Sequence, residues 1–177
     1  MAEHAVIPSL PAEEYERRQR RAQSPLPDLW SLLDAVKDPE IPAVSLWEMG
    51  ILQDIAMEGD RVVVTITPTY SGCPAMTVMA EDVVQALEEA GYPDSEVITR
   101  LSPAWTTSWM SEEAQEKLRN YGIAPPGCGT ADKPPEIACP RCQSGEVRRL
   151  SEFGSTACKA LYQCVACGEP FDHFKPI

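Results

Sequence analysis

Apolar positions first recur at helical spacing in Leu29, Trp30, Leu32, Leu33 and Val36, a stripe introduced by Ser24, Pro25, Pro27 and Asp28. That pattern predicts a helix that must stop before Pro39, whose ring cannot continue it. Residues 51–57 and 61–67 read as two strands joined at Gly59-Asp60, a hairpin turn. The run Arg61-Val62-Val63-Val64-Thr65-Ile66-Thr67 is the clearest strand, rich in β-branched side chains that fit a pleated surface. A second helix is expected over about 74–90, with Pro74 in its first turn, Val78, Val83, Val84 and Leu87 on its buried face, and Gly91 ending it. Residues 96–101 give a third strand, and 111–120 a further helix that ends before Gly122. The order β-β-α-β with helices at either end predicts a compact α+β domain.

On either side of that domain the pattern fades. Residues 1–23 mix Glu13, Glu14 and Glu16 with Arg17, Arg18, Arg20 and Arg21 and few apolar positions, and are expected to be a flexible N-terminal arm without chemistry, or a solvated helix. The α+β domain would span 24–122. Residues 123–136, with Pro125, Pro126, Gly127, Gly129, Pro134 and Pro135, have the composition of a linker. A small separate unit would then occupy 137–177.

A chain of 177 residues with 44% hydrophobic and 24% charged side chains is that of a globular protein. No apolar run approaches the roughly 18 residues that span a bilayer, and Met1 to Leu10 lacks the charge and hydropathy pattern of an export signal. The expected location is the cytoplasm. The formal net charge of −12 is carried entirely by residues 1–122, where 21 Asp/Glu face 9 Lys/Arg; residues 123–177 balance 6 against 6. Nucleic-acid binding normally requires a basic face to displace counterions. Only Arg141, Arg148 and Arg149 approach one, so the charge argues against a nucleic-acid partner.

Seven cysteines would suit a disulfide framework in a secreted protein, but four of them form two Cys-x-x-Cys pairs. In a reducing compartment that spacing indicates metal binding. Cys139-Pro140-Arg141-Cys142 and Cys164-Val165-Ala166-Cys167 lie 21 residues apart. Two such turns complete a tetrahedron of thiolates, with zinc as the expected ion, and leave no open position for catalysis. About 40 residues build too little core to fold alone, so the metal would be structural. A redox dithiol would need a thioredoxin-like strand-to-helix turn, and a zinc deaminase would need a His-x-Glu partner that is absent. Iron, or an iron–sulfur cluster, on the same four thiolates stays open. Cys158, shortly before Cys164, would either substitute as a ligand there or sit nearby as a free thiol.

Cys73 is the candidate functional residue. It follows Gly72 and precedes Pro74 at an expected helix start, where unpaired N–H groups and the helix dipole would lower its pKa. The alternative is a small buried residue at a junction. Only His4 and His173 could act as a base, and neither is near in sequence, so metal or cluster chemistry fits better than a Cys–His mechanism. In Asp38-Pro39-Glu40-Ile41-Pro42 the carboxylates either mark a helix stop or ligate iron beside the thiol. Trp105 and Trp109 read as a partner surface or as packing against the sheet. No Ser-His-Asp set, Gly-rich phosphate loop or nucleotide-binding motif is present, and no enzyme activity is expected.

Asp38-Pro39-Glu40-Ile41-Pro42, Met49-Gly50-Ile51 and Thr67-Pro68-Thr69-Tyr70-Ser71-Gly72-Cys73-Pro74 resemble the SufT-like domain associated with iron–sulfur cluster maturation. Pro103-Ala104-Trp105-Thr106-Thr107-Ser108-Trp109-Met110, Tyr121-Gly122-Ile123 and Ser151-Glu152-Phe153-Gly154-Ser155-Thr156-Ala157-Cys158-Lys159-Ala160 resemble the D proteins of the bacterial phenylacetyl-CoA epoxidase system. The resemblance implies a SufT-like α+β domain followed by a four-Cys zinc ribbon. It also implies an accessory role in maturing the enzyme that forms the ring 1,2-epoxide of phenylacetyl-CoA in aerobic phenylacetate degradation. Cys73 would handle iron or an iron–sulfur cluster transiently, with Asp38 and Glu40 beside it. The implied partners are the oxygenase and reductase components and the iron–sulfur assembly machinery. The alternative is a structural scaffold of the epoxidase complex without metal chemistry at Cys73. A homodimer stays open, with Cys73 and Cys128 leaving room for a bridging metal or cluster between subunits.

Overall fold

The computed structural model describes residues 12–127 and 136–177. Cys128 and most of the expected linker lie outside them. Helix α1 (Ala12–Gln23) leads into α2 (Pro27–Leu33), which starts on Pro27 and buries Leu29, Trp30 and Leu33. Strands β1 (Leu52–Glu58) and β2 (Arg61–Ile66) form the expected antiparallel hairpin, with Glu58 opposite Arg61 and Gly59 at a φ of +66° in the turn. Helix α3 (Met76–Glu89) then crosses to β3 (Ser95–Thr99), which pairs parallel with β2. Helix α4 (Glu112–Tyr121) is capped by the Ser111 hydroxyl, which accepts from Ala114 N–H, and ends on Gly122 at a φ of +95°.

The buried face of α3 is Met79, Val83 and Leu87, spaced one turn apart. Of the expected face, Val78 is exposed and Val84 half-buried. Val83 and Leu87 are buried as expected, and Met79, one turn before Val83, completes the stripe in place of Val78. Trp105 and Trp109, each 3% exposed, are core residues and not a partner surface. Trp105 donates its indole N–H to Met49 carbonyl (2.9 Å).

Residues 12–23, expected within a flexible arm, are a helix docked on the α+β domain. Arg17 is 1% exposed. Its guanidinium pairs with Glu14 at 2.7 Å, lies 3.8 Å from the centre of the Trp47 ring, and donates to the carbonyls of Trp47, Leu52 and Trp109. A helix polar in sequence is thus held by one buried cation that satisfies otherwise open carbonyls, something hydrophobic patterning cannot register.

The second sheet has the order β4-β7-β6-β5, from β4 (Ile123–Ala124), β5 (Val147–Ser151), β6 (Lys159–Cys164) and β7 (Pro170–Phe174). Ile123 and Ala124, expected to be linker, pair parallel with Asp172 and His173. The strand follows directly from α4, so the C-terminal unit begins inside the stretch expected to separate it. Side chains alternate across this sheet. Ala124, Cys164 and Phe171 pack with Cys139 in a small core of the unit itself, whereas Ile123, Cys158 and Phe174 belong to the main core of the α+β domain. Phe174 meets Trp105 with ring centroids 5.9 Å apart. The two units therefore share one hydrophobic junction.

Candidate metal centre and thiol site

The four ribbon thiols converge. Among the described residues, Cys139, Cys142, Cys164 and Cys167 have sulfurs that all lie within 4.8 Å of one another. Cys139 and Cys167 are 3.8 Å apart and Cys142 and Cys164 3.5 Å. A tetrahedral zinc with bonds of about 2.3 Å would set its sulfurs about 3.8 Å apart. Each pair sits in the same kind of turn. Gln143 N–H donates to Cys139 carbonyl (2.8 Å) and Gly168 N–H to Cys164 carbonyl (3.0 Å), with Gln143 and Gly168 both in the left-handed region at φ +61° and +79°. Cys139 N–H and Cys164 N–H close the turns on the carbonyls of Ser144 and Glu169.

The electrostatics call for a cation. The backbone N–H groups of Cys167 and Ala166 help draw Cys164 down to about 7. Cys142 receives the Ser144 N–H but is pushed up to about 12 by the sulfurs of Cys164, Cys167 and Cys139. Four thiols in that space cannot all ionise unless an ion balances them. The donor set fits zinc: all sulfur, tetrahedral in spacing and closed.

Cys73 lies elsewhere, in the loop that leaves β2. It closes a turn by donating its N–H to Tyr70 carbonyl (3.2 Å), and α3 begins only at Met76. The thiol therefore precedes the helix by more than the sequence suggests and receives one N–H, from Ala75. Burial, reinforced by Glu40, Asp38 and Cys158, raises its pKa. This reverses the expected activation by a helix N-terminus: partial desolvation and negative neighbours outweigh one amide.

Both carboxylates of the Asp-Pro-Glu stretch are at this site. Asp38, 6% exposed, closes its own turn by accepting from Glu40 N–H (2.8 Å) and Ile41 N–H (3.1 Å). Burial nevertheless raises its pKa, with Lys159 opposing. Burial and Asp38 raise Glu40. Partial burial and then Cys73, Glu40 and Cys158 raise the Tyr70 phenol. His173, pulled down to about 4 by burial, packs edge-on against Tyr162 in the ribbon and is not among the groups acting on Cys73.

Two participants come from the ribbon. Cys158 is no part of the four-sulfur set; it is 6% exposed in the core against which Cys73 packs. Lys159, at the start of β6, is 2% exposed and acts on Asp38, Glu40 and Cys158. Spacing along the chain carries no sign of this meeting. The only hint is that both residues lie in the Ser151–Ala160 stretch that carries the family resemblance.

A domain of iron–sulfur assembly type joined to a four-thiolate ribbon defines the class of protein. Residues 27–98 match the family described as iron-sulfur cluster assembly protein, and residues 124–175 match the PaaD zinc beta ribbon domain. The chain is 46% identical over 152 residues to the Escherichia coli protein named as the putative D component of 1,2-phenylacetyl-CoA epoxidase, covering 85% of this chain and 92% of that one. It belongs to the family of phenylacetyl-CoA epoxidase D proteins. It is also 34% identical over 93 residues to an Fe-S protein maturation auxiliary factor of Porphyromonas gingivalis, covering 51% of this chain and 88% of the relative. A solved domain of unknown function from Bacillus anthracis is 28% identical, covers 59% of this chain and 95% of its own, and superposes with a TM-score of 0.48.

Proposed function

We propose that the protein is a non-enzymatic accessory factor that matures a metal centre of phenylacetyl-CoA epoxidase, holding iron or an iron–sulfur cluster transiently at Cys73 with Asp38 and Glu40 beside it. The observation that carries this reading is the convergence of thiol and carboxyl groups at Cys73 without a histidine base among the groups acting on it. Burial and neighbouring negative groups disfavour the ionised forms of Cys73, Asp38 and Glu40, and a metal ion bound there would offset that clustered negative charge. The partners would be the oxygenase and reductase components. Zinc would hold the ribbon, as a scaffold, through Cys139, Cys142, Cys164 and Cys167. The relatives' names, one a component of the epoxidase and one a maturation factor, support both halves of the reading.

A second reading, a structural scaffold without chemistry at Cys73, is favoured by one observation. Among the described residues the four ribbon sulfurs alone are drawn into a preassembled metal-binding set. Co-expression of the epoxidase components with wild type or Cys73→Ser separates the two. Under the maturation reading, Cys73→Ser stays folded with its zinc while the oxygenase or reductase is recovered depleted of iron or sulfide. Fully loaded clients beside Cys73→Ser would leave the scaffold reading standing.

A further inference from the structure

Strand β3 is an open edge of its sheet, whose order is β1-β2-β3. Arg100 N–H, just past the strand, donates to Ile66 carbonyl (2.8 Å) on β2. Main-chain groups alternate sides along a strand, so the N–H and C=O of Val97 and Thr99 turn the other way, to the free edge. Among the described residues no other segment bonds to them there. An unpaired edge of this kind is a template for the strand of another chain.

A groove of about 760 Å³ lies along the same strand. Val97 and Thr99 line it from β3, and Met76, Val84, Glu81 and Glu88 from α3. Met76, Val84 and Val97 give it apolar surface and are each only half-buried. Val84 belongs to the apolar pattern of α3, yet it stands outside the core and nothing in the described chain completes its burial. Glu81 and Glu88 are exposed, neither has an ion pair among the described residues, and no lysine or arginine lines the groove. From Met76 to Glu88 the helix is about 18 Å long, a length that an extended segment of about five or six residues covers. The Met76 end adjoins the candidate thiol, since Met76 N–H donates to Cys73 carbonyl (3.4 Å).

Resting on the maturation role proposed above, we propose that this groove is where the client docks. An extended segment of an epoxidase component, apolar and flanked by lysine or arginine, adds to the sheet as a further strand beside β3. Main-chain bonds to Val97 and Thr99 hold it, its apolar side chains cover Met76 and Val84, and its basic flanks meet Glu81 and Glu88. A second copy of this chain fits the groove poorly. Residues 1–122 carry the whole net charge of −12, and pairing β3 with β3 would set Glu81, Glu88 and Glu96 against their own kind. A segment held here brings the rest of its protein to the Cys73 loop.

The test measures binding of the purified oxygenase and reductase components, each alone, to the full zinc-loaded chain, with hydrogen exchange on any complex. One component is expected to bind, more weakly as salt rises, and to slow exchange at the amides of Val97 and Thr99. Glu81→Lys/Glu88→Lys alters only exposed side chains and should weaken binding by about tenfold or more and blunt its salt dependence. Thr99→Pro, which an edge strand tolerates, removes an outward donor and should weaken binding by about tenfold. Wild-type affinity in both variants, a complex that leaves Val97 and Thr99 unprotected, or no binding by either component would each overturn the docking site. Concentration-dependent protection of β3 without any component would overturn it too, by making a second copy the occupant. The maturation role is judged separately, by the metal content of clients co-expressed with Cys73→Ser. Depleted clients beside unweakened groove variants leave that role and remove the groove; fully loaded clients beside weakened groove variants do the reverse. Should Thr99→Pro not fold, the glutamate variant and the exchange pattern decide.

Discussion

At the scale of single residues, the chemistry of Cys73 is set by what surrounds it more than by where it stands in the chain. Burial and the Glu40 and Asp38 carboxylates hold the thiol above its usual value of 9.0. Free Cys73 is accordingly a slow nucleophile at neutral pH, because the thiolate is the reacting form. Its alkylation by iodoacetamide, followed by peptide mass spectrometry, should rise with pH through a midpoint above that of an unperturbed cysteine. Glu40 raises that midpoint, so Glu40→Gln should lower it and speed labelling at about pH 8, just below the ordinary thiol range. A slower or unchanged rate in Glu40→Gln would show that the carboxylate does not act on the thiol. The same raised value gives metal binding its pH dependence: acidification favours the protonated thiol and should weaken any cargo bound there.

At the scale of elements, α1 is an example of a helix held by polar contacts. Its apolar side chains contribute little; Glu14 and Arg17 are the residues it buries. Removing one partner of a buried ion pair leaves the other charge stranded and typically costs about 3–5 kcal/mol, whereas replacing both with apolar groups can be neutral. Arg17→Met should therefore lower stability in urea by about that amount, and Glu14→Leu/Arg17→Met should recover much of it. The recovery will be incomplete, since the carbonyls of Trp47, Leu52 and Trp109 each lose a donor. Equal losses in the single and double variants would mean that the carbonyl contacts, and not the ion pair, hold the helix.

At the scale of the whole molecule, the two domains share one hydrophobic junction through Trp105, Phe174, Cys158 and Ile123. The ribbon's own core is small, comprising Ala124, Cys139, Cys164 and Phe171 with a few half-buried neighbours. Structural zinc contributes about 10–16 kcal/mol to comparable small domains. Stripping the metal with a chelator should unfold β5, β6 and β7 and uncover the junction, while β1 and β2 keep their pairing. Hydrogen exchange checks this: amides of residues 159–164 and 170–174 should lose protection and those of 62–66 keep it. Persistent protection in the stripped ribbon would mean that the junction, not the metal, holds it folded. No helix among the described residues is long and apolar enough to cross a membrane.

Local pattern was enough for the hairpin around Gly59, for the existence of α2, α3 and α4, and for the four ribbon cysteines, because each depends on residues a few positions apart. The α+β class followed from their order, and the motifs around Cys73 carried the family. Tertiary structure alone decided the rest. It docked α1 through Arg17, turned Met79 of α3 inward and Val78 outward, drew Trp105 and Trp109 into the core, and made Ile123 and Ala124 a strand. It also set Cys158 and Lys159 among the groups that act on Asp38, Glu40 or Cys73, and it raised the pKa of the Cys73 thiol where the sequence suggested a lowered one. Those outcomes turn on burial, on which carbonyls lack donors and on charges brought together from distant segments, and a one-dimensional pattern records none of these until packing joins them.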